Sequence, residues 1–144
     1  MPNNVESAQD RQNEVNALEY LCTDCSLSYK QTKQYCRWDA DLFKDEKLYA
    51  IVEIKCRTFK HDLYPDFMFK VDKWEANKAA AKKLNVKFVI IFQYTDGLYV
   101  IDETNRTLVG RKQSSIVMKN SVNGRAENVF FTPISELKHV IKEK

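Results

Sequence analysis

Along residues 71–84 the apolar positions recur at helical spacing. Trp74, Ala81 and Leu84 can share one face, and alanines and lysines fill the remainder. This pattern predicts a helix. Residues 86–94 follow as a nearly unbroken apolar run, the pattern of a strand buried on both faces. Residues 48–57 precede the helix as the most apolar strand of the chain, which places it centrally in a sheet. Strand, helix and strand make a βαβ unit, predicted parallel with a right-handed crossover. Upstream, Val15, Leu18 and Leu21 predict a first helix over residues 7–21. Residues 27–36 alternate imperfectly and read as a first strand, and residues 37–44 as a second. A polar turn, Asp45-Glu46-Lys47, joins it to the central strand.

Beyond the core the signals are shorter. Residues 58–68, with Pro65 and several aromatics, read as a loop. Thr95-Asp96-Gly97 is a turn before a short strand at 98–102. Residues 103–121 turn polar and read as short strands or a hairpin, with a further strand at 125–131. Thr132 as N-cap and Pro133 at the first helical position predict a last helix to about residue 141. The fold class is therefore α/β (α+β). Its mixed sheet is antiparallel at the front and parallel in the middle, flanked by helices.

Charge interrupts the most apolar strand. Glu53 and Lys55 point to one face, while Val52, Ile54 and Cys56 point to the other. Asp39 and Asp41 share a face of the preceding strand, so a hairpin can bring aspartate, glutamate and lysine together. Two carboxylates bind a hard divalent cation, and a lysine beside them can steer or activate a water. Such a site suits hydrolysis of a phosphodiester. The plainer readings are acids decorating an edge strand, and an exposed Glu53–Lys55 ion pair. The first leaves the charges on the central strand unexplained, since they are costly to bury unless paired or metal-bound.

Asp39, followed fourteen positions later by Glu53-Ile54-Lys55 in a strand-turn-strand setting, resembles the PD-(D/E)XK nuclease superfamily. The resemblance spans roughly residues 10–101. It points to restriction endonucleases, Holliday-junction resolvases and small phage nucleases, although Trp38 stands where the family often has proline. It implies a restriction-endonuclease-like αβββαβ core over about residues 7–102, with 103–144 as a C-terminal β-hairpin and helix. It further implies a Mg²⁺-dependent deoxyribonuclease in which Mn²⁺ substitutes. Asp39 and Glu53 would hold the ion with the carbonyl of Ile54. Lys55 would position or deprotonate the attacking water, or stabilise charge on the phosphate. Asp41 rivals Asp39, and the spacing favours Asp39. Glu14 matches the glutamate that many members carry on the first helix; the alternative is a solvent-facing side chain. Arg57 and Lys73 are candidate phosphate contacts. DNA is the expected partner, and homodimerisation is expected where two strands are cut. A non-catalytic nucleic-acid-binding protein or subunit with the same fold is the rival reading.

Composition narrows this picture. A chain of 144 residues, 44% hydrophobic, with three Gly and three Pro, fits one domain with a real core. No apolar run reaches membrane-spanning length and the N-terminus is polar, so a cytoplasmic protein is expected. Residues 1–54 carry six Lys/Arg against ten Asp/Glu, whereas residues 55–90 carry nine against four. A basic segment thus follows the acidic site, as a surface that meets phosphates would. Tyr64, Phe67 and Phe69 can either stack on bases or pack in the core. Cys22 and Cys25 could start a zinc or redox pair, but no second pair completes it, and reduced thiols are the simpler reading. His61 and His139 stand outside any ligand pattern.

Overall fold

The computed structural model describes residues 8–33, 36–117 and 126–140. Helix α1 (Ala8–Cys25) is followed by β1 (Ser28–Gln31), β2 (Ala40–Lys44) and β3 (Lys47–Cys56). Then come β4 (Asp66–Lys70), α2 (Val71–Leu84), β5 (Lys87–Tyr94) and β6 (Gly97–Asp102). The remaining strands are β7 (Lys112–Val117), β8 (Ala126–Pro133) and β9 (Lys138–Val140). Six strands form one sheet in the order β1-β2-β3-β5-β6-β9. Only β3 and β5 in it are parallel, joined through α2, and the other pairs are antiparallel. A second sheet has the order β4-β8-β7. The mixed sheet and the predicted βαβ unit are both present.

Side-chain alternation divides the core in two. Ala50, Val52 and Ile54 of β3 pack with Ala17, Leu18 and Leu21 of α1 on one face of the large sheet. Ile51 of β3, with Phe88, Ile90 and Phe92 of β5, faces the other way, onto Trp74 and Ala81 of α2 and Phe67, Phe69 and Phe130 of the small sheet. Glu53 and Lys55 belong to this second face by the same alternation. α2 stops where Asn85 adopts the left-handed conformation (φ 57°), its N–H returning to the last carbonyls of the helix.

Four expectations are corrected. The first strand is confined to Ser28–Gln31, and Cys36 lies outside any strand in an exposed bend. The predicted loop at 58–68 ends in β4, which pairs Phe67 with Thr132 and Phe69 with Phe130. The predicted C-terminal helix does not form. Thr132 and Pro133 instead complete β8, Ile134–Glu136 is one 3-10 turn, and Lys138–Val140 is β9. Pairing with β4 outweighs the local capping signal, and Pro133 is tolerated because it sits at the strand end. Lastly, α1 runs on to Cys25, so Cys22 is inside the helix; the Cys25 side chain and residues 118–125 lie outside the described residues.

Candidate active site

The antiparallel ladder of β2 and β3 ends at Ala40 opposite Val52. There the Asp39 N–H still donates to the Val52 carbonyl at 2.9 Å. The next donor of β3, the Ile54 N–H, goes instead to Asp39 Oδ2 at 2.7 Å. The Trp38 carbonyl meanwhile accepts the Thr32 hydroxyl. The strands thus diverge at Asp39, and its carboxylate lies against the β3 backbone where Glu53 projects. Asp41 is engaged elsewhere, accepting the Trp38 indole N–H at 2.7 Å.

Glu53 is 1% exposed. Its Oε2 lies 3.2 Å from Lys73 Nζ, on the first turn of α2, and its Oε1 has no hydrogen-bond partner among the described residues. Burial, reinforced by the charge of Asp39, pushes the Glu53 carboxyl up to about 7 against the pull of Lys73 and Lys55. Lys55 is half-buried, with Nζ 5.2 Å from the Phe69 ring centroid. Burial and the neighbouring Lys73 charge lower its ammonium to about 8, against Glu53 and Asp39. Both groups are therefore shifted toward neutrality, as groups that move protons near neutral pH are.

Glu14 approaches the same strand end from α1. It is 6% exposed rather than solvent-facing, and accepts from Gln31 Nε2 at 3.1 Å. Burial first, then the charges of Glu14, Asp10 and Asp39, push the Cys56 thiol up to about 11. Glu14 therefore bears on β3 from the α1 face, and Asp39 bears on both Cys56 and Glu53. Arg57 extends the ladder by one residue, its N–H donating to the Gln93 carbonyl at 2.8 Å. Its side chain so continues the row of Glu53 and Lys55. Lys73, expected at phosphate, is found paired with Glu53. Phe67 and Phe69 are core residues, while Tyr64 is 56% exposed. Gln31, which holds Glu14, and Phe69, which seats Lys55, carry no motif by which the sequence could single them out.

A separate cluster, His61, Asp62 and Asp96, has ligand atoms within 4.8 Å of one another. His61 Nδ1 lies 2.6 Å from Asp96 Oδ2, and the His61 N–H donates to Asp96 Oδ1 at 2.9 Å, which fastens the 57–65 connection to the β5–β6 turn.

The two shifts at the site give a pH signature. Glu53, with a folded pKa of about 7 above its usual value, holds its proton more tightly when folded. Stability therefore falls as pH rises from about 4.5 to about 7. Lys55, lowered to about 8, binds its proton more tightly when unfolded, so stability recovers from about 8 to about 10.5. Thermal unfolding in EDTA should show a trough between pH 7 and 8, several degrees deep, as on the order of 1–2 kcal/mol would give. Glu53→Gln should remove its acid-side wall. A flat profile for both proteins would show that the two side chains are solvated.

A family profile described as "Phage putative PDDEXK endonuclease" matches residues 2–138. No curated protein matches the sequence. Among solved structures, the Holliday junction resolvase Hjc of the archaeal hyperthermophile Archaeoglobus fulgidus superposes with a TM-score of 0.59 at 11% identity. The match covers 89% of this chain and 86% of that one. A nuclease from a fusselovirus matches at 17% identity and a TM-score of 0.44, over 78% of this chain and 70% of that one. The resolvase shares the restriction-endonuclease-like fold. No described helix is long and apolar enough to cross a membrane. With a profile spanning nearly its whole length and the fold to match, the chain belongs to the phage PDDEXK endonuclease family.

Proposed function

We propose that this chain is a metal-dependent DNA endonuclease that selects branched or otherwise distorted DNA, and that Asp39, Glu53 and Lys55 carry the cleavage. The observation that supports this best is Glu53. It is a carboxylate buried in the middle of a sheet, one oxygen without a partner among the described residues, beside a second carboxylate and two ammonium groups. A buried acid so placed is costly unless a cation completes it.

The donor set fits a hard divalent ion, with Asp39 and Glu53 as carboxylate ligands and the carbonyl of Ile54, the residue after Glu53, beside them. Mg²⁺ or Mn²⁺ bound there supplies Lewis-acid polarisation of the phosphate and acidifies a water. The chain's own residues do the rest. Lys55, with its lowered pKa, holds or moves a proton at the attacking water, or meets the charge that builds on the phosphate. Glu14, held by Gln31, adds negative charge from the α1 side and keeps the strand end acidic. Lys73 balances Glu53, and Arg57 extends the cationic row toward a neighbouring phosphate. The fold shared with a Holliday junction resolvase supports a branched substrate.

The test is a panel of labelled DNAs (linear duplex, single strand, flap and four-way junction) incubated with Mg²⁺, Mn²⁺ or EDTA. Cutting of branched DNA is expected with either metal and none in EDTA. Binding without cutting on every substrate and metal would make this a non-catalytic DNA-binding member of the family.

A further inference from the structure

A cavity of about 390 Å³ opens beside the Lys55 end of β3. That volume lies within the roughly 300–1,000 Å³ of sites that enclose small molecules. Its lining is mostly aromatic, with Phe59, Tyr64, Phe67 and Tyr94 prominent, and Ile134 contributing from the 3-10 turn. Phe59 and Tyr64 meet edge to face at 5.3 Å, and Phe92 and Tyr94 stack at 5.7 Å. Phe67, Phe92 and Tyr94 are thus a buried apolar floor, and Tyr64, 56% exposed, is the ring that can meet a flat guest.

The cavity is linked to the site described above through Arg57. Arg57 lines it and is the next member of the Glu53–Lys55 row, roughly 6.6 Å along the strand from Lys55. Its guanidinium donates to the Cys56 carbonyl at 3.2 Å and forms no ion pair with a carboxylate among the described residues. A phosphate can therefore be met at Arg57. Inside, Asp66 is the one acid in the lining. A carboxylate there repels a phosphate but accepts from the amino edge of a base. The charge pattern thus keeps the backbone outside and admits the base.

We propose that this cavity receives one unstacked nucleobase of the DNA substrate, next to the phosphate held at the Asp39–Glu53–Lys55 site. A base inside a duplex offers no free face, so the guest must be unpaired or turned out of the stack. This rests on the nuclease reading and deepens it: preference for branched DNA follows from the need for an unpaired nucleotide beside the cut.

Binding in EDTA tests it without cleavage. Fluorescence anisotropy is measured for a flap DNA and for the same DNA with an abasic site moved one nucleotide at a time through the branch, using wild type and Tyr64→Ala. Tyr64 is 56% exposed, so the variant should fold. At one position the abasic site should weaken wild-type binding roughly 10- to 100-fold, as loss of a base–aromatic stack does. Tyr64→Ala should weaken binding of intact DNA similarly, and the two losses should not multiply. Tyr64→Phe should bind as wild type. Losses that multiply, or no sensitive position, overturn the proposal. The two readings fail differently. An empty pocket leaves metal-dependent cutting intact with zero coupling, whereas a chain that is no nuclease shows no cutting with coupling retained.

Discussion

Lys55→Ala should lower metal-dependent DNA cleavage by roughly 10²- to 10⁴-fold, the usual worth of a positioned proton-transfer or charge-stabilising group. Glu53→Gln should lower it at least as far, because it removes the charge proposed to hold the cation. Neither change should unfold the protein. Lys55 is half-buried and its lowered pKa shows that its charge is held at a cost; the glutamine is nearly isosteric with the acid. DNA affinity in EDTA should change little for Lys55→Ala, so the loss falls on the rate rather than on binding. Single-turnover cleavage beside anisotropy titration separates the two. If both variants cut at the wild-type rate, the chemistry lies elsewhere, and the His61–Asp62–Asp96 cluster is the next place to look.

Glu103→Ala should have the largest effect on stability, a loss of about 3–5 kcal/mol, as for a buried charge left without its partner. Glu103 is fully buried just after β6. Its carboxylate accepts from the Trp74 indole at 3.1 Å and from both terminal nitrogens of Arg111 at 3.1 and 2.9 Å. The Arg111 side chain is 6% exposed and lies over Phe130 at 5.1 Å. Lys78 fastens the same segment, donating to the carbonyls of Glu103, Thr104 and Arg106. Removing the acid strands a guanidinium between α2 and the small sheet. A fall of roughly 10–20 °C in the unfolding midpoint is expected. The double variant Glu103→Ala/Arg111→Met should recover part of it, since it removes the stranded guanidinium and leaves only the Trp74 indole N–H without its acceptor. A loss below about 1 kcal/mol in Glu103→Ala would mean that water reaches the pair.

How much of this could be read from the chain depended on how local each signal was. The β3–α2–β5 unit was legible because continuous apolar runs flank an unambiguous helix. Glu53 and Lys55 were legible because charges are conspicuous in the most apolar strand. β4 was not: Asp66-Phe67-Met68-Phe69-Lys70 does alternate, but it is short, follows Pro65, and takes its partner from β8 far along the chain. The final helix failed for the same reason. Thr132-Pro133 satisfies a local capping rule, yet residues 132–133 are claimed by β4, and His139 stacks on Tyr99 at 4.4 Å to hold β9 on β6. Glu14 could be named as a candidate, but its burial against Gln31 depends on how α1 lies across β1. The Lys73–Glu53 pair likewise depends on where α2 begins over β3, which spacing in the sequence does not encode.

The large sheet is finished at both ends by strands too short to recruit another. β1 has four residues with Lys30 exposed, and β9 has three with Lys138 exposed. Brief, lysine-bearing margins are poor templates for adding a strand from a second molecule. A two-fold pair of these chains, such as coordinated cutting of two DNA strands would call for, would therefore not be built by extending the large sheet. In that arrangement the spacing between paired cuts would be set by the helices and the small sheet.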